Sequence, residues 1–401
     1  MSAETIDHLT ANGVGENLAH PNPPVQDLDA SKLRIELTKN PRTVPKLKSD
    51  ETWSCKACTD HMVKVNWLEG KGWGVPEVVP YGPLTMMPTA SCLHYATQCF
   101  EGMKVYRGFD GKLRLFRPDR NCARLMSSAV RVALPAFDPL ELEKLIKALM
   151  KVDGAKWLPE SQPGNFLYLR PAMTGNGEQL GVTAPSEVLL FIIAVPWPDI
   201  STGWNPSSTG APKPPGLKLL TSQNDTRAWP GGFDNAKVGA KYGPAFVATM
   251  EGRKKEAGAS NFFVVWKTKD GRLELITAPL DDKIILDGVT RRSVLDLARE
   301  RFVASSEYLN SDVKSLDVVE RTYTMAEVEE AQNDGRIIEA FVSGTAYFIT
   351  PVSAINFRDA EMSIPMAGGD SGHYARIVKK WLLDIKYGNV SHKCGVVVGE
   401  D

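Results

Sequence analysis

Arg227-Ala228-Trp229-Pro230-Gly231-Gly232-Phe233-Asp234-Asn235-Ala236-Lys237-Val238-Gly239-Ala240-Lys241-Tyr242-Gly243-Pro244 sets a lysine among four glycines, close to an aromatic hydroxyl, at the seam between a loop and an expected helix. Glycine lets a backbone approach a bulky ligand closely, and a lysine in such a place can be desolvated into a usable amine nucleophile. Taken alone the stretch also reads as a surface turn with a solvated lysine. Segments elsewhere in the chain separate the two readings.

The chain has 401 residues, enough for two domains that each bury a core. Its 47 Lys and Arg balance 48 Asp and Glu, with no long basic run, which argues against nucleic acid and anionic membranes as partners. No apolar run approaches the ~18 residues that span a bilayer. Residues 1–24 hold Glu4, Asp7 and Glu16 but no Lys or Arg, unlike a signal peptide or a mitochondrial presequence, so a cytoplasmic setting is expected. Cys55-Lys56-Ala57-Cys58 has no second Cys-x-x-Cys or His pair to complete a zinc site. A reduced pair and no metal are expected.

Along the chain, Pro139 to Met150 carries leucines and isoleucine at helical spacing, and Glu187 to Val195 is an apolar run between prolines, a buried strand. Asn261 to Trp266 and Leu273 to Thr277 flank Lys269-Asp270-Gly271 as a hairpin. Thr290 to Phe302 and His373 to Lys386 read as helices. The expected division is a disordered or extended tail over 1–50, a smaller α/β domain over 51–197, a Pro/Ser/Gly-rich linker over 198–216 and a larger α/β domain over 217–401.

Several segments follow one another in a telling order. They are Leu93-His94-Tyr95 through Phe100-Glu101-Gly102-Met103-Lys104, Leu115-Phe116-Arg117-Pro118, Tyr168-Leu169-Arg170-Pro171, the lysine stretch, Asp287-Gly288-Val289-Thr290 and Ser343-Gly344-Thr345-Ala346. In this order they resemble the branched-chain amino acid aminotransferases of the fungal and animal type. The resemblance runs from about Asp60 to Gly388. It implies a fold type IV enzyme, α/β (α+β), with pyridoxal 5'-phosphate (PLP) held between two α/β domains. It further implies a homodimer in which each active site is completed by the neighbour, exchanging the amino group of leucine, isoleucine or valine with 2-oxoglutarate.

By the same resemblance Lys237 is the cofactor-bearing lysine and the carrier of the substrate proton. The flanking Gly239 and Tyr242-Gly243 favour it over Lys241. Tyr242 matches the tyrosine that hydrogen-bonds the cofactor's phenolic oxygen. Arg117 matches the phosphate-binding arginine, a role that suits a bidentate guanidinium. Val289 and Thr290 open a helix whose N–H groups and dipole suit an anion, and Thr345 can add a hydroxyl. The main chain around Thr345 and Ala346 matches the substrate-carboxylate site. Tyr95, Phe100, Tyr168 and Arg170 match pocket residues, the aromatics walling an apolar slot and Arg170 bearing on glutamate or 2-oxoglutarate.

Two departures stand out. Glu256-Ala257-Gly258-Ala259-Ser260-Asn261 is the nearest match to the segment carrying the pyridine-nitrogen carboxylate, so Glu256 inherits that role, with Ala259 in place of a threonine. Glu256 follows Lys237 by only 19 positions, and the polar run before it cannot stand in for the buried strand that family members have there. This shortening motivates an alternative, a weakened or non-catalytic PLP-binding relative. Another fold type IV activity, D-amino acid aminotransferase or aminodeoxychorismate lyase, is argued against by the Phe100–Met103 and Tyr168–Arg170 matches.

Overall fold

A computed structural model describes residues 25–46, 49–199, 216–221, 231–242, 260–281, 283–358 and 360–400, without the side chains of Lys241 and Tyr242. The first nine strands are β1 (Arg34–Ile35), β2 (His61–Leu68), β3 (Gly72–Trp73), β4 (Glu77–Pro80), β5 (Gln98–Phe100), β6 (Met103–Arg107), β7 (Leu113–Phe116), β8 (Phe166–Gly175) and β9 (Glu187–Pro196). They pair in the order β1-β4-β2-β9-β8-β6-β7, with β3 on β2 and β5 on β8. The long central pair β8–β9 is antiparallel, and β9 is the apolar run between prolines seen in the sequence.

Two helices, Pro118–Arg131 and Pro139–Trp157, cover one face of this sheet. The second is started by Asp138, whose side chain accepts from Leu140 N at 2.9 Å, with Pro139 at the first helical position. Its inward residues Leu142, Leu145, Ile146 and Leu149 repeat at helical spacing and are fully buried against Val63, Val105 and Leu113. The helix runs seven residues past the Met150 at which the sequence pattern weakens, to Trp157. Ala236 and Val238 belong to the same core, so the lysine between them is anchored on both sides.

The second sheet contains β10 (Leu217–Leu220), β11 (Asn261–Lys267), β12 (Leu273–Thr277), β13 (Asp317–Glu320), β14 (Ile337–Gly344), β15 (Phe348–Phe357) and β16 (Ala360–Ser363). Their order is β10-β15-β14-β11-β12-β13, with β16 on β15. The hairpin around Lys269-Asp270-Gly271 forms as an antiparallel β11–β12 pair. Helices Val289–Arg301 and His373–Lys386 cover one face, centred on Phe341, Phe302 and Trp381. Helix Met325–Asn333, closed by a Thr324/Glu327 capping box, covers the other.

The chain crosses the sequence-based division twice. β1, in the stretch expected as a tail, pairs in parallel with β4, and Leu28 is buried. A last strand, β17 (Gly395–Val398), returns from the far end to pair with β7 in the first sheet. The return is held by Arg107, fully buried, which donates to both carboxylate oxygens of Glu400 at 2.7 Å and to the carbonyl of Leu158 at 2.6 Å. The three valines of β17 have strand propensity and β1 has only two residues, but neither segment names its partner, because an edge strand is chosen by what it pairs with rather than by its own composition.

Glu400→Ala leaves the Arg107 guanidinium buried without its anion. We expect a destabilisation of about 3 kcal/mol, read as a lower thermal unfolding midpoint by calorimetry. A midpoint equal to the parent's would show that the pair contributes nothing to holding β17.

Candidate active site

The site is built where β5 meets the lysine segment. Phe100 N donates to the carbonyl of Lys237 at 3.1 Å, and Cys99 bridges Val238. The backbone N–H of Lys237 donates to Ser128 Oγ at 2.9 Å, tying the segment to helix Pro118–Arg131. The Lys237 Nζ lies 5.0 Å from the centre of the Phe100 ring. Burial pushes this amine down from its ordinary range to about 8; Glu101 and Tyr168 push the other way, while the cations Arg124 and Arg170 add to the depression. Lys237 therefore spends a usable fraction of its time neutral at physiological pH, as a nucleophile or proton carrier requires.

Directly after Phe100, Glu101 is completely buried. Arg124 meets it in a fork, Nε to Oε1 at 2.7 Å and Nη2 to Oε2 at 2.8 Å, and Asn121 Nδ2 adds a bond to Oε2 at 2.7 Å. Burial alone would raise this carboxyl, but Arg124, with Lys237 and Asn121, outweighs it and holds the group below the usual carboxylate range. The remaining arm of Arg124 donates to the carbonyl of Asp287 at 2.7 Å, immediately before Gly288 and the helix that begins at Val289.

That helix start has no side-chain cap, so the first-turn N–H groups of Val289 and Thr290 face outward with the helix dipole behind them. Gly288 is required there, since a Cβ would lie 2.1 Å from Asn261 Oδ1. Arg124 and Val289 also line a cavity of about 280 Å³ whose other walls include Arg120, Lys283 and Arg292. From the opposite side Thr345 donates its hydroxyl to the carbonyl of Gly102 at 3.1 Å, which brings the Gly344–Ala346 turn against the Glu101 corner. A cationic wall, an uncapped helix start and a small-residue turn suit a phosphate group, and the desolvated amine of Lys237 suits the carbonyl carbon of the same molecule. The described residues thus fit PLP at both of these ends.

Beside Lys237, Tyr168 and Arg170 stand two residues apart on one face of β8. Arg170 Nη2 donates to Tyr168 Oη at 3.0 Å and its guanidinium lies 4.4 Å from the Phe100 ring centre. Gly102 leaves room for the tyrosine, because a Cβ there would come 2.0 Å from Tyr168 Oη. Tyr168 stacks on Trp197 at 4.8 Å. Among the described residues the Arg170 Nε and Trp197 Nε1 atoms are buried without hydrogen-bond partners, donors suited to a ligand oxygen.

The structure thus gathers Lys237, Phe100, Tyr168, Arg170, Val289, Thr290 and Thr345, with Ala346 following Thr345. It does not bring Arg117 to them. Arg117 donates to Asp296 Oδ2 at 2.8 Å and to Ser293 Oγ at 3.2 Å, farther along helix Val289–Arg301. The arginine that joins Glu101 to the start of that helix is Arg124, which the sequence reading missed. The signal was there in the helical spacing of Asn121 and Arg124, which turns both toward Glu101. Tyr95 is exposed and donates to the Leu180 carbonyl at 2.7 Å, apart from this cluster. The backbone of Tyr242 lies in a short 3-10 turn, Gly239–Tyr242, while Glu256 lies outside the described residues.

Comparison with known proteins places this arrangement. Residues 98–355 match the family of class IV amino-transferases. The cytosolic branched-chain-amino-acid aminotransferase of Saccharomyces cerevisiae is 38% identical over 384 residues, covering 91% of this chain and 96% of the relative. The mitochondrial enzyme of that name from Bos taurus is 40% identical over 380 residues, covering 91% and 90%. The solved branched-chain amino acid aminotransferase of Thermobaculum terrenum, in its PLP form, superposes with a TM-score of 0.59 at 20% identity, covering 85% of this chain and 98% of its own, and so shares the fold. The chain belongs to the class IV aminotransferases and, among them, to the branched-chain-amino-acid aminotransferases.

If Lys237 is desolvated as described, competitive acetylation of the full chain across pH, read by mass spectrometry, should give it a titration midpoint near 8. A midpoint in the ordinary lysine range near 10.4 would mean that water reaches the amine.

Proposed function

We propose that this chain catalyses PLP-dependent transamination of leucine, isoleucine and valine with 2-oxoglutarate, giving branched 2-oxo acids and glutamate. The observation that carries the reading is the desolvated Lys237 amine, set between the Arg124 helix-start cradle and the Phe100–Tyr168–Arg170 slot, in a member of this family. When bound, PLP supplies an electron sink for the carbon that bears the amino group. Lys237 moves the proton at that carbon. Arg124 and the first-turn N–H groups of Val289 and Thr290 hold the phosphate, and Thr345 adds its hydroxyl on releasing the Gly102 carbonyl. This role passes to Arg124 because its third arm reaches the Asp287 carbonyl at the helix start, whereas Arg117 pairs with Asp296 farther along that helix.

The main chain at Thr345 and Ala346 takes the substrate carboxylate. Phe100 and Tyr168 wall the apolar side chain, and Arg170 receives the distal carboxylate of glutamate or 2-oxoglutarate, a dicarboxylate with no apolar group to fill the slot. Tyr242 on the phenolic oxygen and Glu256 on the pyridine nitrogen complete the reading. The linker expected over 198–216 lies, for residues 200–215, outside the described residues.

A homodimer belongs to the same proposal. Tyr95 is a pocket residue by resemblance, yet it lies exposed among Leu93, Leu180 and Val182, which are also exposed. An apolar surface of this kind suits a partner copy across which Tyr95 reaches the second site. Sedimentation at working concentration should give a dimer, and a monomer with full activity would refute it. The cytoplasm is the compartment of this reading. Cytosolic and mitochondrial enzymes both stand among the relatives, so cell fractionation decides the point.

The purified protein should carry a visible PLP absorbance that converts to the pyridoxamine form when leucine is added, and borohydride reduction should place the pyridoxyl group on Lys237. A label on Lys241, or an absorbance that leucine leaves unchanged, would sink the assignment. Arg124→Ala should weaken PLP retention roughly 10- to 150-fold, from the loss of charged hydrogen bonds worth ~1.5–3 kcal/mol. Arg117→Ala should change retention far less, and the reverse ranking would restore Arg117 to the cradle.

A further inference from the structure

Glu101 lies at the β5–β6 corner, shut off from solvent. Its carboxylate is completely buried and accepts four hydrogen bonds that each fix a neighbour: two from Arg124, one from Asn121 at 2.7 Å, and one from the Gly102 N–H at 3.2 Å. A guanidinium held by both Nε and Nη2 has one orientation only. The third arm of Arg124, Nη1, is thereby turned toward the Asp287 carbonyl at the start of helix Val289–Arg301, on the other sheet's side of the site. The same corner carries Phe100, whose backbone holds the Lys237 carbonyl, so the carboxylate is fixed one residue from the lysine's own anchor.

We propose that Glu101 is a positioning residue for the reaction: its buried carboxylate orients Arg124 toward the cofactor phosphate and keeps a permanent negative charge beside the Lys237 amine. The inference deepens the transaminase reading and rests on it for the phosphate. The charged and titratable groups that bear most on Lys237 include Glu101 from the β5–β6 corner, Arg124 from helix Pro118–Arg131, and Tyr168 and Arg170 from β8. Glu101 is the only carboxylate of the four. In a water-poor site its charge acts at longer reach than it would in solvent. Without it, Lys237 would face burial and two arginines together, and the proton it must hold during part of the cycle would be lost too readily.

Competitive acetylation tests the charge. With cofactor removed from the full chain, Glu101→Gln should lower the titration midpoint of Lys237 below the parent's, since a near-isosteric neutral group replaces an anion. Arg170→Gln should raise it, since a cation is removed while the Glu101–Arg124 pair stays intact. A loosened structure would let water in and move both variants upward, so opposite signs separate electrostatics from packing. Glu101→Asp keeps the charge and shortens its reach; the midpoint should stay close to the parent's while PLP is lost faster on dialysis, because Arg124 is drawn off its line. An unchanged or raised midpoint in Glu101→Gln overturns the proposal. Should that variant not fold, Glu101→Asp decides, and a midpoint that moves away from the parent's, or PLP held through dialysis as well as in the parent, overturns it. The titration needs no cofactor, so a failure of PLP to label Lys237 would sink the transaminase reading and leave this result standing.

Discussion

A carboxylate with no access to water has to be answered by protein donors, and at Glu101 that requirement organises the centre of the molecule. Its desolvation is offset by the Arg124 fork and by Asn121, which commits two consecutive turns of helix Pro118–Arg131 to the β5–β6 corner. Arg124 then reaches the Asp287 carbonyl at the start of the helix that covers the second sheet. One buried ion pair thus links the first sheet, its covering helix and the second sheet's helix start. The site lies where these three meet, with its groups held by rigid elements.

Around that pair the two ends of the site have different character. Toward helix Val289–Arg301 the surroundings are cationic and rich in backbone donors, suited to an anion. Toward β8 the walls are Phe100, Tyr168 and Trp197, apolar faces with the Arg170 guanidinium laid across the phenyl ring. A guanidinium stacked on aromatic rings keeps its charge while shedding less tightly bound water than an ammonium would. Such a wall can lie against a branched hydrocarbon chain in one half-reaction and answer a carboxylate in the other.

Local pattern made much of the fold legible. The apolar stripe from Pro139, the run from Glu187 and the hairpin at Lys269-Asp270-Gly271 became a helix, a buried strand and an antiparallel pair because each segment's periodicity matches the face it buries. Lys237 was legible for a related reason: glycines and a tyrosine around one lysine mark a backbone that must admit a ligand, and its burial follows from Ala236 and Val238 entering the core. The choice between Arg117 and Arg124 was not legible from residue type. Both are arginines at the head of one helix, and only the direction in which each side chain leaves it separates an ion pair with Asp296 from one with Glu101.

The sequence by itself determined the class of chemistry, the family and the elements that carry the site, because amphipathic period, turn residues and motif order are local properties of the chain. Tertiary structure alone decided which arginine joins Glu101 to the helix start, that Glu101 is buried and ionised, that Tyr95 lies apart from the pocket, and that β17 closes the first sheet from the far end of the chain. Each of these depends on what another segment brings into contact. A burial, an ion pair or an edge-strand pairing has no energy until its partner arrives, so no single stretch of sequence contains it.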